Sequence, residues 1–451
     1  MSHWTLYVPA SSQPWDRRRV VHLHRRAAFG ACRREIERDV ADGVEPSVTR
    51  LFSGKGREGV PDGFAQLADV IGQSAVDSGT PERLKAWWLY RCLFSPQPLA
   101  ERLTLMWHNH FATSNLKVSD LKLMKQQNDL LRAGALSPFG KLLTEMAHDP
   151  ALLVWLDAPS NEKGHPNENL AREIMELFSL GVGNYTEEDV KQAARALTGW
   201  TVRQGNFHDR PASHDAETKT ILGQMGAWTG DDLVRILREH PATSKRLAWR
   251  LTREFFADGI VEPAALEELA VGLHEHQLDI QWAVDKILRS RLFFSDANIG
   301  TRVSEPVSYV VGALRALECW RDPPSSLVLA EWVTRMGQDL FYPPNVGGWN
   351  GGKSWLSTRT VVARANFAAA LAEGRLSSPA RAPGLAMLFD GGSESWNPAD
   401  GIRSLCDVLF GDAPPRLVGS VEAALPQSGD REQCLRQATI ALLASPRGML
   451  H

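Results

Sequence analysis

Apolar residues recur at three- and four-residue spacing along nearly the whole chain, and stretches that alternate every second residue are almost absent. The first pattern is what an amphipathic helix needs to bury one face. The second is what a half-buried strand needs. The chain is therefore expected to be mainly α, a multi-helix globular bundle with little or no β-sheet. Helices are expected to start near residues 33, 83, 99, 120, 139, 169, 187, 231, 241, 264, 278, 307, 326, 360, 399 and 430. One start has a local mechanism. Thr186 precedes Asp189 by three residues, so each side chain can satisfy the other's free amide, a capping-box-like pair with Asp in place of Glu. Gly181 and Gly183 upstream suit a helix stop and a turn, so 169–180 and 187–199 read as two helices joined by a short glycine turn.

Two long segments break the helical pattern. Residues 200–230 are polar and contain His208, His214 and Asp215, and residues 341–357 hold the run Pro343-Pro344-Asn345-Val346-Gly347-Gly348-Trp349-Asn350-Gly351-Gly352. Irregular loops of that length in a folded chain are usually functional or disordered. Ser, Pro and Gly crowd the stretch 374–397. The expected organisation is a helical main domain over 1–375, a linker over 376–397, and a C-terminal helical appendage over 398–451 packed on the main domain.

Composition narrows the function classes. The 451 residues carry 50 Lys and Arg against 53 Asp and Glu, a net charge of −3. That balance lacks the basic footprint of a nucleic-acid binder, so Arg17-Arg18-Arg19 and Arg25-Arg26 read as local helix faces. Five cysteines, far apart and without a C-x-x-C pair, argue against a disulfide framework or a cysteine zinc site. No apolar run follows the N-terminal charges as a secretion signal requires, and no window reaches the length of a membrane span. A cytoplasmic location is expected, with export alongside a signal-bearing partner as the alternative. Phosphate-binding loops, dinucleotide fingerprints, G-x-S-x-G elbows and H-E-x-x-H helices are missing.

Four constellations can carry chemistry. In Trp107-His108-Asn109-His110-Phe111, His110 falls on the apolar arc of a helix and His108 roughly 160° away, beside Glu101 and Thr104. The pair shares a metal ion only if the helix ends there and the chain runs extended. Otherwise His110 is a hydrogen-bonded core residue and His108 a polar-face one. In the stretch 167–178, Glu173 and Glu176 share a helix face, and Arg172 stands four residues from both Glu168 and Glu176. This is either an acid–base or metal-binding carboxylate pair, or a solvated charged face. His214, Asp215 and Lys219 offer ligands, a base with its orienting carboxylate, or an anion contact, unless they are ordinary loop polar groups. Trp349 with Asn345 suits a ligand with a flat apolar face and hydroxyls, unless the indole only anchors its loop.

These constellations, in this order, resemble the bacterial domain-of-unknown-function 1800 family. The similar stretches are HLHRRAAFG (22–30), LTLMWHNHFATS (103–114), NENLAREIMELFSLGVGNYTEEDV (167–190) with ARALTGW (194–200), HDAETKTILG (214–223), HPATSKRLAWRL (240–251) and FYPPNVGGWNGGKSW (341–355). They cover about residues 20–370, and the tail beyond about 375 is not covered by them. The resemblance implies a role for His108, Asn109 and His110, for Asn167, Glu168, Arg172, Glu173 and Glu176, for His214, Asp215 and Lys219, and for Asn345, Gly348 and Trp349. Glu217 stands where that family usually has Gly, and Asn350 where it has Pro. The family has no settled activity, and its members are often encoded beside proteins of the domain-of-unknown-function 1501 family.

Two functions are then in competition. The first is a hydrolase acting on a saccharide or peptide. Its catalytic set would be Glu173, Glu176, Arg172, His214 and Asp215, and its substrate-binding set Asn109, Asn167, Lys219, Asn345 and Trp349. A divalent metal, if used, would draw on His108, His110, His214 and Asp215. The second is a helical scaffold that docks a partner of the 1501 family, which implies a shallow or absent cleft and a broad exposed apolar patch.

Overall fold

In the computed structural model, which describes residues 2–388, 396–426 and 430–451, the helix Pro98–His110 is the central pillar. It is buried nearly all round. Leu99, Leu103, Met106, Trp107 and Phe111 join one hydrophobic core, built with the helices Phe139–Ala147, Glu187–Ala196, Pro241–Phe255 and Pro263–Glu275. Leu105 points into a second core with Trp87, Trp88, Val310, Leu314, Phe367, Leu405 and Leu435. The face expected to be polar is buried as well. Glu101 is 1% exposed and accepts from Arg91 and Arg132, each at 2.9 Å. His108 thus stands in the interior rather than on a solvated face, because arginines from neighbouring elements neutralise the acid beside it.

Twenty-two α-helices are found among the described residues. Every expected start has a helix beginning within about two residues of it, the usual spread of such boundaries. The pattern set no start for Arg17–Ala27, although its arginines read as helix faces, and gave no warning of Val44–Ser53, Phe64–Asp77, Asn115–Val118, Pro150–Trp155 or Pro415–Ala423. The first is instructive: it buries Arg19 and Arg26, so its charged residues do not mark its solvent side. The capping box at Thr186 is present, with Thr186 and Asp189 each accepting the other's amide at 2.9–3.1 Å. The preceding helix is not regular. After Asn169–Glu173 the chain widens into a π-turn over Ile174–Ser179, where Ser179 Oγ donates to the Ile174 carbonyl at 2.7 Å.

The segment 200–230 contains two small antiparallel hairpins, Trp200–Arg203 with Asn206–Asp209 and Lys219–Ile221 with Gln224–Gly226. Their turns place Gln204-Gly205 and Leu222-Gly223 at positive φ, the conformation that lets a two-residue turn follow the twist of its strands. Glycine supplies only half of each turn, and the strands are three or four residues long, so no alternation was visible.

Of the expected linker, residues 389–395 lie outside the described residues. Just before them, the Leu385 and Ala386 amides donate to the Glu432 carboxylate at 2.9 Å. The C-terminal helix Arg431–Ala444 packs on Thr358–Ala372, and the last residues pair with 302–304 through backbone hydrogen bonds. No helix among the described residues is long and apolar enough to cross a membrane.

One buried carboxylate ties distant segments of the second core. Glu35 accepts from Arg315 at 2.7 and 2.8 Å, from the Cys32 amide at 2.8 Å and from the Glu58 amide at 3.0 Å. Burial alone would raise its carboxyl. Arg315 and Arg57 outweigh that and hold it at about 2, against an ordinary 4.5. A carboxyl depressed on folding contributes stability above its unfolded value that is lost as pH falls through the folded one. Urea unfolding from pH 6 to 2 is therefore expected to show stability falling between about pH 4.5 and 2. Glu35→Gln should be less stable at pH 6 and should show a shallower acid loss; an unchanged pH slope would contradict the assignment.

Candidate functional site

The helix Pro241–Phe255 presents two faces. Leu247, Ala248, Leu251 and Phe255 are buried in the core. Arg246, Trp249, Arg250 and Arg253, spaced at i, i+3, i+4 and i+7, share the other face, which borders a pocket of about 600 Å³. The pocket's remaining walls come from Asn109 and His110, from Leu177, from 297–305, and from the loop at Val346–Trp355.

Backbone carbonyls hold the first two arginines in place. Arg246 donates to the Leu177 carbonyl through Nε at 3.2 Å and Nη2 at 3.1 Å, and Arg250 Nη2 donates to the Met106 carbonyl at 2.9 Å. His110 is bonded through Nε2 to the Phe178 carbonyl at 3.1 Å. Leu177 and Phe178 lie in the last turn of the segment Ile174–Ser179, where a helix leaves its carbonyls without intrahelical partners. Neither Arg246 nor Arg250 has an ion pair within salt-bridge distance among the described residues. Arg246 and Arg253 flank the Trp249 indole at 4.3 and 5.0 Å.

The acids on the pocket wall are mostly committed elsewhere. Glu254 and Glu305 each meet the fully buried Arg102 at 2.7 Å, with Arg302 at 3.8 and 3.9 Å. Positive charge is therefore in excess around the pocket: Arg246, Arg250, Arg253, Arg302 and Lys353 line it, and Arg102 lies behind it, against Glu254, Glu305 and Asp258. Burial, with Arg253 and Arg302 nearby, pulls Arg250 down to about 10 despite Glu254. Burial, with Arg250 and Arg246 nearby, pushes His110 well below its ordinary value.

Asn109 fixes the opposite wall. Its Oδ1 accepts from the Trp349 amide at 2.7 Å and its Nδ2 donates to the Trp349 carbonyl at 3.2 Å. Gly348 makes this clamp feasible: at φ +74, a Cβ there would stand 2.1 Å from Asn109 Oδ1. Asn345 shapes the turn by accepting from the Gly347 amide at 2.9 Å and does not line the pocket.

The structure separates the other expected residues. The helix continues through His110, so His108 and His110 do not converge on one centre. His108 packs on Trp88, Phe341 and Trp349, and burial lowers it to about 3; its Nε2 has no hydrogen-bond partner among the described residues. Asp215 is taken by Arg195 at 2.7 and 3.2 Å, and His214 Nδ1 faces the Thr198 carbonyl at 3.0 Å. Lys219, 1% exposed, donates to the Asp215 and Glu217 carbonyls. These three pin the hairpin segment, and none lines the pocket. Arg172 pairs with Glu168 and with Glu187 rather than Glu176. Glu176 instead accepts from the Tyr185 hydroxyl. Asn167 braces its own loop, donating from Nδ2 to Ser160 Oγ at 2.9 Å. Among the described residues no three His, Cys, Asp or Glu lie close enough to hold a metal ion. Neither Glu217 nor Asn350 has positive φ, so neither departure from the family pattern strains the backbone.

The family-like stretch 240–251 does not by itself disclose the arginine face, which begins within it and runs on to Arg253. The signal was legible as three arginines and a tryptophan on one helical stripe, in a helix whose other stripe is apolar.

Two substitutions test this architecture. Arg102→Met would strand Glu254 and Glu305 and is expected to cost about 3–5 kcal/mol by denaturant unfolding. Asn109→Ala is expected to cost about 1–3 kcal/mol and to open 343–352 to limited proteolysis. Wild-type stability in either variant would show that the contact is not structural.

No curated protein and no solved structure matches the chain significantly. A protein-family model does match, over residues 22–450, which carries the similarity through the C-terminal tail that the motifs alone left uncovered. With its motif stretches at 103–114, 167–190, 240–251 and 341–355 meeting around one pocket, the chain belongs to the DUF1800 family, described as proteins of unknown function.

Proposed function

We propose that this protein recognises an organic anion in the arginine-lined pocket. The observation that carries the reading is the pair Arg246 and Arg250, whose hydrogen-bond partners are backbone carbonyls in a pocket where positive charge is already in excess. A partly buried cation without a counter-ion is costly, and a carboxylate or phosphate placed there gains charge-assisted, two-pronged hydrogen bonds. Trp349 and Trp355 add apolar surface for the body of the ligand. The volume of about 600 Å³ suits a small organic molecule or a short polymer segment. The saccharide or peptide class suggested by the Trp–Asn loop thereby narrows to its acidic members. A docking scaffold for a 1501-family partner would need no such cleft, and the pocket is what favours ligand recognition over that alternative.

One observation favours adding hydrolysis to recognition. Burial and the neighbouring Glu176 raise the Glu173 carboxyl, while Glu176 lies close enough to Arg246 to oppose the lowering of its pKa. Leu177, which follows both in the chain, lines the pocket, and on this reading Glu173 is the acid and Glu176 the base. On this reading Glu173→Gln keeps ligand affinity and loses turnover. A bound-ligand structure with the scissile bond out of direct or one-water reach of both carboxyls would remove it.

The recognition reading is tested by calorimetric titration with acidic sugars and acidic peptides beside their neutral analogues. Binding is expected for the acidic members only, weakening with added salt. Arg250→Met and Arg246→Met should each weaken it at least about tenfold, the loss of one charge-assisted hydrogen bond. Equal affinity for neutral analogues would overturn the reading.

A further inference from the structure

A second face with the same spacing lies on the helix Arg17–Ala27. Arg18, Val21, His22 and Arg25, again at i, i+3, i+4 and i+7, line a separate cavity of about 300 Å³, closed on the other side by the C-terminal segment with Arg447 and His451. The stretch HLHRRAAFG belongs to this wall and takes no part in the pocket described above.

The charges of this cavity do not balance. Arg18 is satisfied by Asp296 at 2.5 Å, with Asp412 at 3.7 Å. Arg447 pairs with Asp412, the one acidic side chain among the lining residues. Arg25 has no carboxylate within salt-bridge distance among the described residues; its guanidinium lies 5.7 Å from the centre of the Phe410 ring. Arg447 lies against that same ring at 5.3 Å. Two guanidiniums thus share one aromatic surface, one with a counter-charge and one without. Burial and Arg447 both act to lower Arg25, and no acid opposes them. His22 adds an unused group. In a residue only 3% exposed, its Nε2 lies 3.1 Å from the Phe293 carbonyl and 3.5 Å from Asn298 Nδ2, and its Nδ1 has no hydrogen-bond partner among the described residues.

We propose that this cavity is a second anion site, taking a small organic phosphate between Arg25 and Arg447 at the seam between the N-terminal helix and the C-terminal segment. The guanidiniums suit the phosphate oxygens. Phe410, Ile299 and Leu450 provide an apolar wall and more room than a bare phosphate fills. The site is independent of the larger pocket in its residues.

The experiment is calorimetric titration of the full chain with phenyl phosphate and with inorganic phosphate, on wild type, Arg25→Met, Arg447→Met and Arg250→Met. Wild type is expected to bind phenyl phosphate more tightly than inorganic phosphate. Arg25→Met and Arg447→Met should each weaken binding at this site at least tenfold, and Arg250→Met should retain that Arg25-dependent component while losing any contribution from the larger pocket. Circular dichroism checks folding, and Arg447→Met carries the test if Arg25→Met does not fold. The proposal is overturned if both folded variants titrate as wild type does, or if all phosphate binding vanishes in Arg250→Met. That last outcome would leave the larger pocket's reading standing, whereas loss of acidic-ligand binding with the Arg25-dependent site retained would do the reverse.

Discussion

A guanidinium with no access to solvent organises the centre of this protein. Arg102, in the middle of the pillar helix, meets Glu254 from the helix Pro241–Phe255 and Glu305 at the start of the helix Pro306–Ala316. Taking an isolated charge out of water costs several kcal/mol, so each member is tolerable only while the others stay in place. The three elements are thereby held in one arrangement. Glu254 and Glu305 are shared between Arg102 and the pocket arginines Arg302 and Arg250, so two acids serve more guanidiniums than they can neutralise. The same interaction that fixes the scaffold leaves the pocket positive.

The second organising feature is the π-turn at Ile174–Ser179. It ends its helix, so the Leu177 and Phe178 carbonyls of its last turn have no intrahelical partner. The turn presents them to Arg246 and His110, which joins three motif-bearing segments through hydrogen bonds that involve backbone oxygen rather than carboxylate. A guanidinium oriented by neutral carbonyls keeps its full charge for a ligand, whereas one oriented by an acid does not. Asp215 with Arg195 illustrates the contrast: there the charges cancel, and the group serves to hold a hairpin.

How legible each part was follows from the range of the forces involved. The helices, the Thr186 capping box and the irregular character of 341–357 depend on neighbours within a few residues, and they could be read directly. The π-turn could not, since its signal is a single serine bonding five residues back. The pairing of Arg172 with Glu187 in place of Glu176 was also hidden, because a glycine turn brings the next helix alongside. His214, Asp215 and Lys219 looked chemical because they sit together in a long polar loop. Folding turns that loop into paired strands whose polar groups need internal partners.

The sequence by itself determined an α-helical chain, its main breaks, and the stretches where polar residues gather in a family pattern. Those properties rest on periodicity and on hydrogen bonds between near neighbours. Which of those residues share a pocket was decided by the tertiary structure alone. Whether an arginine faces a carboxylate, a carbonyl or an open cavity depends on elements more than a hundred residues apart, as with Arg102 and Glu254 or Arg250 and Met106. A guanidinium's charge is written in the chain, and whether it is cancelled depends on what the fold packs beside it.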